Sequence, residues 1–94
     1  MKADISKDQW VWVVIQDPGE KELFLGQHDE EKGISYIPIF LEKEAAGKGI
    51  NFLAKEEGHK YEIQAIQYGH LLTDAVKAGF NILLMDDSGN RVEI

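Results

Sequence analysis

The sequence lacks cysteine entirely and holds three histidines among its 94 residues. Without a thiol, the chain cannot form a disulfide, a thiolate zinc site, an iron–sulfur cluster or a cysteine nucleophile. His28, His59 and His70 form neither an H-x-x-x-H nor an H-E-x-x-H pair, so no helical metal face is encoded. No serine is flanked like a nucleophile elbow. The sequence therefore predicts no catalytic residue, no metal site and no cofactor, and a protein that is not an enzyme.

Basic residues and long hydrophobic runs are also scarce. Ten basic residues stand against seventeen acidic ones, which gives a net charge of −7. A nucleic-acid binder or a protein docked on an anionic membrane needs a clustered basic surface, so neither partner is predicted. No apolar run approaches the roughly 20 residues of a membrane span, and residues 1–8 lack the hydrophobic core of a secretion signal. These features predict a cytoplasmic protein.

Apolar and aromatic residues are abundant enough for one folded domain. The chain is 44% hydrophobic and 10% aromatic, which is typical of globular proteins. We expect residues 1–9 to be a flexible lead-in and residues 10–94 to form a single domain. The run 10–16 is apolar on both faces, as in a covered strand, and 22–27 is predicted to pair with it as a hairpin.

The middle of the chain changes from a strand pattern to a helix pattern. Residues 34–40 are β-branched and apolar, but Pro38 cannot donate to a ladder, so this strand should lie at an edge or break there. A helix is predicted over 42–56 with Gly58 as its C-cap. Gly47 and Gly49 weaken it, so they mark either close packing on the sheet or a break near Gly49.

The second half continues with strands over 61–67, 80–85 and 91–94 and a helix over 68–78. The buried stripe of that helix is predicted to contain Leu71, Leu72, Ala75, Val76 and Ala78. The whole order is β-β-β-α-β-α-β-β. It predicts an α+β fold: one small two-layer domain with a mostly antiparallel or mixed sheet of five to six strands and two helices.

The second half also resembles a known family. It combines an apolar strand with a proline (36–40), a helix carrying Glu-Ala-Ala (44–46), a strand (61–63), a short helix (71–75) and a closing strand (82–85). In this order and spacing, residues 34–94 resemble the SseB-like domain. The resemblance implies a small α/β domain and favours a binding role. The founding members are associated with type III secretion, and no active-site residue carries over.

Two short segments superficially match ligand motifs. Residues 46–49 read Ala-Gly-Lys-Gly, but a phosphate loop needs Ser or Thr after its lysine and a strand before it. Residues 86–90 carry side-chain oxygens as a calcium-binding loop does. However, Asp, Gly and Asn are also the residues that turns select, and a hairpin turn is predicted. The acidic side chains of the loops are predicted to face water: Asp29, Glu30, Glu31, Glu56 and Glu57.

Large aromatic residues are concentrated on the first three predicted strands: Trp10, Trp12, Phe24, Tyr36 and Phe40. They either build the core or leave part of the set exposed for a partner. The leading hypothesis is a non-enzymatic protein-interaction or assembly module, binding a protein partner or itself as a homodimer. Its proposed partner-binding residues are Trp10, Trp12 and Tyr36, with Pro38 marking an accessible edge. The alternative is a small-molecule-sensing regulatory domain with a pocket between the sheet and residues 47–49.

Overall fold

A computed structural model describes residues 5–92, and within that range it contains seven strands and two helices. The elements are β1 (Trp10–Gln16), β2 (Leu23–Phe24), β3 (Gln27–Asp29), β4 (Ile34–Ile39), α1 (Lys43–Gly49) with a 3-10 turn (Ile50–Phe52), β5 (Tyr61–Gln67), α2 (Tyr68–Ala78), β6 (Asn81–Met85) and β7 (Arg91–Val92). The α+β class is confirmed. There is one strand more than predicted because residues 22–27 do not form one strand: β2 ends before Gly26 and β3 begins after it.

The strands form two sheets that meet at one point. The first has the order β2-β1-β5 and is antiparallel; the second has the order β3-β4-β6-β7, with β4 and β6 parallel. Trp12 of β1 and Phe40, just after β4, exchange two backbone hydrogen bonds of 2.8 and 2.9 Å. The two sheets are therefore hydrogen-bonded to each other through this bridge.

The expectation that Pro38 marks an accessible edge is wrong. Strand β4 lies between β3 and β6, and Pro38 is less than 2% exposed. The backbone groups of residues 36, 38 and 40 point to the same side of the strand. On that side the neighbouring strand changes along the chain: Tyr36 pairs with Gln27 of β3, and Phe40 pairs with Trp12 of β1. Pro38 lies between these two partners, so its missing N–H costs no ladder bond, and β4 continues unbroken through Pro38 in its pairing with β6.

The helices cover opposite faces of the sheet. Val11 and Val13 of β1 pack with Leu71 of α2, whereas the alternating Val14 packs with Leu53, after the 3-10 turn. Successive side chains of a strand point to opposite faces, so these contacts lie on two different sides. Strand β1, apolar on both faces, is therefore covered on both: the face of Val11 and Val13 by α2 and residues of the second sheet, and the face of Val14 by the segment after α1.

The first helix is shorter than predicted. It ends at Gly49, and the chain then tightens into the 3-10 turn and becomes extended at Leu53. A Cβ on Gly49 would lie 2.7 Å from Cζ of the buried Phe40 ring, so close packing and a helix end occur at the same residue. Gly58 is not the C-cap; it lies in the following turn with φ +88°.

The second helix has the predicted bounds, and Gly79 ends it in the left-handed conformation with φ +79°. Its predicted stripe is only partly correct. Leu71 and Ala75, four residues apart, are buried. Val76 is 76% exposed and Ala78 is also exposed, because only the Leu71–Ala75 side of the helix meets the sheet.

Candidate interaction surface

An aromatic surface lies on one side of β1 and its neighbour β5. Trp10 and Trp12 are two residues apart, so both side chains point to the same face. In the antiparallel register Trp10 lies opposite Gln67 and Trp12 opposite Ala65. We call these four residues the aromatic face. Trp10 is 58% exposed, Ala65 is exposed, and Trp12 and Gln67 are half-buried, so the face presents apolar area to solvent.

Trp12 anchors this surface to the core. It packs against the buried cluster of Phe40, Ala46 and Met85. The Nζ of Lys43 lies 5.7 Å from the centroid of the Trp12 ring, within the range of a cation–π contact. Because Trp12 is also held by the backbone bridge to Phe40, its ring is fixed, and Trp10 projects from the same rigid strand.

The other proposed binding residue, Tyr36, lies elsewhere. Tyr36 is 9% exposed, and the guanidinium carbon of Arg91 lies 5.2 Å from the centroid of its ring. Together with the buried Pro38, it belongs to the second sheet. The aromatic set is therefore divided: Phe40 and Tyr36 are buried, Phe24 and Trp12 are half-buried, and Trp10 is exposed.

An ion pair that the sequence analysis missed fixes the second sheet. The guanidinium of Arg91 on β7 donates to the carboxylate of Asp29 on β3. This hydrogen bond, followed by one from the Lys32 N–H, lowers the pKa of Asp29 below its ordinary value. The Asp29 side chain is 12% exposed, so the expectation that it faces water is wrong. The partners are 62 positions apart, and no local pattern links them.

A second polar group joins the end of β1 to the start of β5. Nδ1 of His59 lies 2.7 Å from Oδ2 of Asp17, and the Lys60 N–H donates to Oδ1 of Asp17 at 3.2 Å. The contact with His59 is the main cause of a lowered pKa for Asp17. His28 and His70 are exposed. The Asp17–His59 pair closes a loop onto the sheet and so contributes to structure.

A cavity of about 350 Å³ lies beside the loop that precedes β5. Its lining residues are Gln16, Leu25, Gly26, Gln27, His28, Ala54, Lys55, Glu56 and Tyr61. Several of its polar groups already have partners in the chain. The Gln27 amide exchanges hydrogen bonds with the backbone of Ala54, and the Tyr61 hydroxyl exchanges them with the backbone of Glu56.

A second cavity, of about 330 Å³, lies between the start of α1 and strands β6 and β7 and is lined by Leu41, Glu42, Ala45, Leu84, Met85, Asp86, Asp87 and Val92. It is therefore near the place where the sequence suggested a pocket, but Gly47 and Gly49 themselves do not line it. Gly47 faces open space, and Gly49 is closed by the Phe40 ring and the carbonyl of Asp86. Within residues 5–92, no three His, Asp or Glu side chains converge as metal ligands would. In the same range, neither helix has the length and apolar character needed to cross a membrane.

Comparison with known proteins gives no relative. No family model, no curated protein and no solved structure matches the chain.

Proposed function

We propose that this protein is a non-enzymatic protein-interaction module that binds another folded polypeptide through its aromatic face. The observation that carries the proposal is the 58% exposure of Trp10 on a rigid strand beside the anchored Trp12. Tryptophan is enriched among the residues that dominate interface energies. A ring held by the scaffold loses little conformational entropy when a partner covers it.

Other features support the same class of function. The resemblance of residues 34–94 to SseB-like domains favours a binding role. The net charge of −7 disfavours nucleic acid and anionic membranes as partners. The proposal places the protein in the cytoplasm, as the sequence predicts.

The alternative, small-molecule sensing, has weaker support. The cavity near Gln27 reaches the size of known ligand sites, which begin at roughly 300 Å³. However, the Gln27 amide and the Tyr61 hydroxyl that a ligand would meet are already bonded within the chain. A ligand would have to replace these bonds, which lowers its net gain.

Affinity capture followed by reconstitution tests the proposal. Candidate partners captured by the wild-type chain, including the chain itself, are purified and titrated against wild type, Trp10→Ser and Trp12→Ser. We expect Trp10→Ser to weaken binding at least about tenfold, the loss of a typical interface anchor. Val76→Ser is the matched control, because Val76 is also exposed but lies on α2, away from the aromatic face.

The proposal is overturned if every reconstituted complex binds both tryptophan variants as tightly as wild type. A metabolite panel monitored by thermal shift covers the alternative. A ligand whose stabilising effect is lost in Gln27→Ala but retained in Trp10→Ser would establish the sensing function instead.

A further inference from the structure

Strand β5 is the longest edge strand among residues 5–92. It has seven residues and occupies the end of the β2-β1-β5 sheet. The other three edge strands, β2, β3 and β7, have two, three and two residues. Short edges offer little to a foreign strand, whereas a long unpaired edge is a template for pairing. No strand of the described range pairs with the outer side of β5.

The backbone of β5 directs unpaired groups outward at known residues. At its two ends, the Asp17 N–H donates to the Lys60 carbonyl and the Tyr68 N–H donates to the Gln9 carbonyl. Even-numbered residues of this segment therefore point their backbone groups toward β1. Because these directions alternate along a strand, Ile63 and Ala65 point their N–H and C=O groups to the open edge.

Strand β5 lacks the features that normally protect an edge. Its pairing with β1 runs from Trp10↔Gln67 to Gln16↔Tyr61 without a bulge. It contains no proline and no lysine, and Glu62 is its one ionisable acidic or basic side chain. Natural proteins guard exposed edges with such residues or with bulges. Their absence here fits an edge that pairs with another strand.

Going beyond the proposed function, we propose that a second copy of this chain pairs antiparallel along β5, with the two-fold axis at Gln64, and leaves the aromatic face free for its own partner. In this register Ile63 lies opposite the partner's Ala65, and each such pair exchanges two backbone hydrogen bonds. Glu62 lies opposite the partner's Ile66. A register with the axis at Glu62 would instead place two carboxylates face to face, which is destabilising.

The contact between the two β5 strands, formed around Ile63, Gln64 and Ala65 of each copy, is called the seam. The aromatic face is continuous with this seam. In the joined sheet, a single row on one face contains Trp12, Ala65, the partner's Ile63 and the partner's Val14. Ala65, exposed in the single chain, becomes covered, and the seam extends an apolar row that already runs from β1 to β5. Both copies present Trp10 on the same side of a six-stranded sheet, so pairing creates one larger docking surface.

The size of the contact sets the expected affinity. Pairing along one seven-residue strand belongs to the low end of interface areas, about 1,200 Å² or less in total. We therefore expect a dimer with a dissociation constant of order 10–100 μM rather than a permanent one. Sedimentation velocity from about 10 μM to about 1 mM covers both the monomer and the dimer.

Charge variants at Gln64 test the register. Gln64→Lys and Gln64→Glu each place like charges across the two-fold axis, and each should weaken dimerisation at least about tenfold. An equimolar mixture of the two places opposite charges there and should restore the dimer. Val76→Lys adds the same charge as Gln64→Lys at an exposed site on α2 and should leave the dimer unchanged at about 0.15 M salt, where distant charges are screened.

Hydrogen exchange and a proline variant supply independent readouts. The amides of Ile63 and Ala65 should gain protection as protein concentration rises. Ala65→Pro removes an outward N–H without touching the ladder to β1, so it should give a folded monomer by circular dichroism. A wild-type chain that remains monomeric at about 1 mM overturns the inference, as does a dimer that tolerates both Gln64 variants.

These outcomes are separable from those of the proposed function. A monomeric wild type that binds another protein through Trp10 removes the β5 dimer and leaves the interaction module. A dimer that is sensitive at Gln64, in a protein whose captured partners bind both tryptophan variants as tightly as wild type, keeps the β5 seam and removes the aromatic face from partner binding.

Discussion

Gly47 and Gly49 lie two residues apart in α1 and should respond to the same substitution in opposite ways. A Cβ on Gly47 meets nothing within 4 Å, so Gly47→Ala should stabilise the helix by up to about 1 kcal/mol. A Cβ on Gly49 would collide with the Phe40 ring and approach the Asp86 carbonyl to 3.2 Å. Phe40 is fully buried and cannot swing away, so Gly49→Ala should cost about 1–3 kcal/mol.

Urea unfolding of the two variants provides the measurement, and each variant is the control for the other. Equal stabilisation by both would mean that the Phe40 ring yields, and that α1 does not pack on the sheet as closely as described.

The Asp29–Arg91 pair should make stability depend on pH in the acid range. The Arg91 hydrogen bond lowers the pKa of Asp29 from 3.8, so the folded state favours the ionised carboxylate. The resulting stabilisation is fully present above that ordinary value and is lost as the pH falls through the lower folded value. Asp29→Asn keeps an acceptor for the Lys32 N–H and removes the charge, so its Tm should be below that of wild type at pH 7.

The difference between the two Tm values should shrink as the pH is taken below 3.8. Glu30→Gln, an exposed neighbour of Asp29, removes the same charge and should follow the wild-type profile. A Tm difference that stays constant down to pH 2 would show that the carboxylate charge does not matter.

The solvent exposure of individual side chains was the property hardest to predict from the sequence. Trp10 and Tyr36 are both aromatic residues on apolar strands, yet one is 58% and the other 9% exposed. The difference depends on which strand becomes a neighbour and on Arg91, which arrives from the far end of the chain. Neither condition can be recognised from the neighbouring residues in the sequence. An exposed aromatic surface could therefore be predicted, but not which aromatic residues belong to it.

At the scale of elements, α2 provides a matched pair of substitutions. Leu71 is fully buried in the main core, whereas Val76 is 76% exposed. Leu71→Ala should cost about 2–5 kcal/mol through lost burial and an unfilled cavity. Val76→Ala should be neutral or stabilising by about 0.5 kcal/mol, because alanine has the higher helix propensity.

Chemical denaturation of both variants measures these differences. A large loss for Val76→Ala would indicate that this side of α2 is covered in solution, and would point to an interface on the helix.

Elements with strong local signals were predictable, and those decided by long-range contacts were not. The bounds of β1, β5 and α2 agree with the sequence pattern because β-branched runs and the Gly79 cap act locally. The first helix was predicted too long, because its end is set by the packing of Gly49 on Phe40. Pro38 was predicted to mark an edge or a break, but β4 is internal and continuous, because β1 replaces β3 as its neighbour at Phe40.

At the scale of the whole molecule, the bridge between Trp12 and Phe40 links the aromatic face to the second sheet. The two sheets share backbone hydrogen bonds there, and the side chain of Trp12 packs on the cluster that contains Phe40 and Ala46. The aromatic face is therefore supported by α1 from within. A partner that covers Trp10 would meet a surface that is already ordered.

The net charge provides a final test, because it distinguishes a second copy from any basic partner. Each chain carries −7, so two copies repel each other. The radius of gyration is 12.4 Å, whereas the Debye length falls from about 30 Å at 10 mM salt to about 8 Å at 0.15 M. At low salt, charges repel across the whole of both molecules; at 0.15 M, only charges near the seam still interact.

The dissociation constant of the β5 dimer should therefore fall several-fold when sodium chloride is raised from about 10 mM to about 150 mM. Sedimentation velocity at both salt concentrations measures it, with Val76→Lys as a variant of reduced charge that should show a smaller change. A complex with a basic protein would weaken over the same range, since salt screens attraction as it screens repulsion. Self-association that weakens with salt would mean that opposite charges hold the copies together, which is incompatible with a seam formed by Ile63, Gln64 and Ala65.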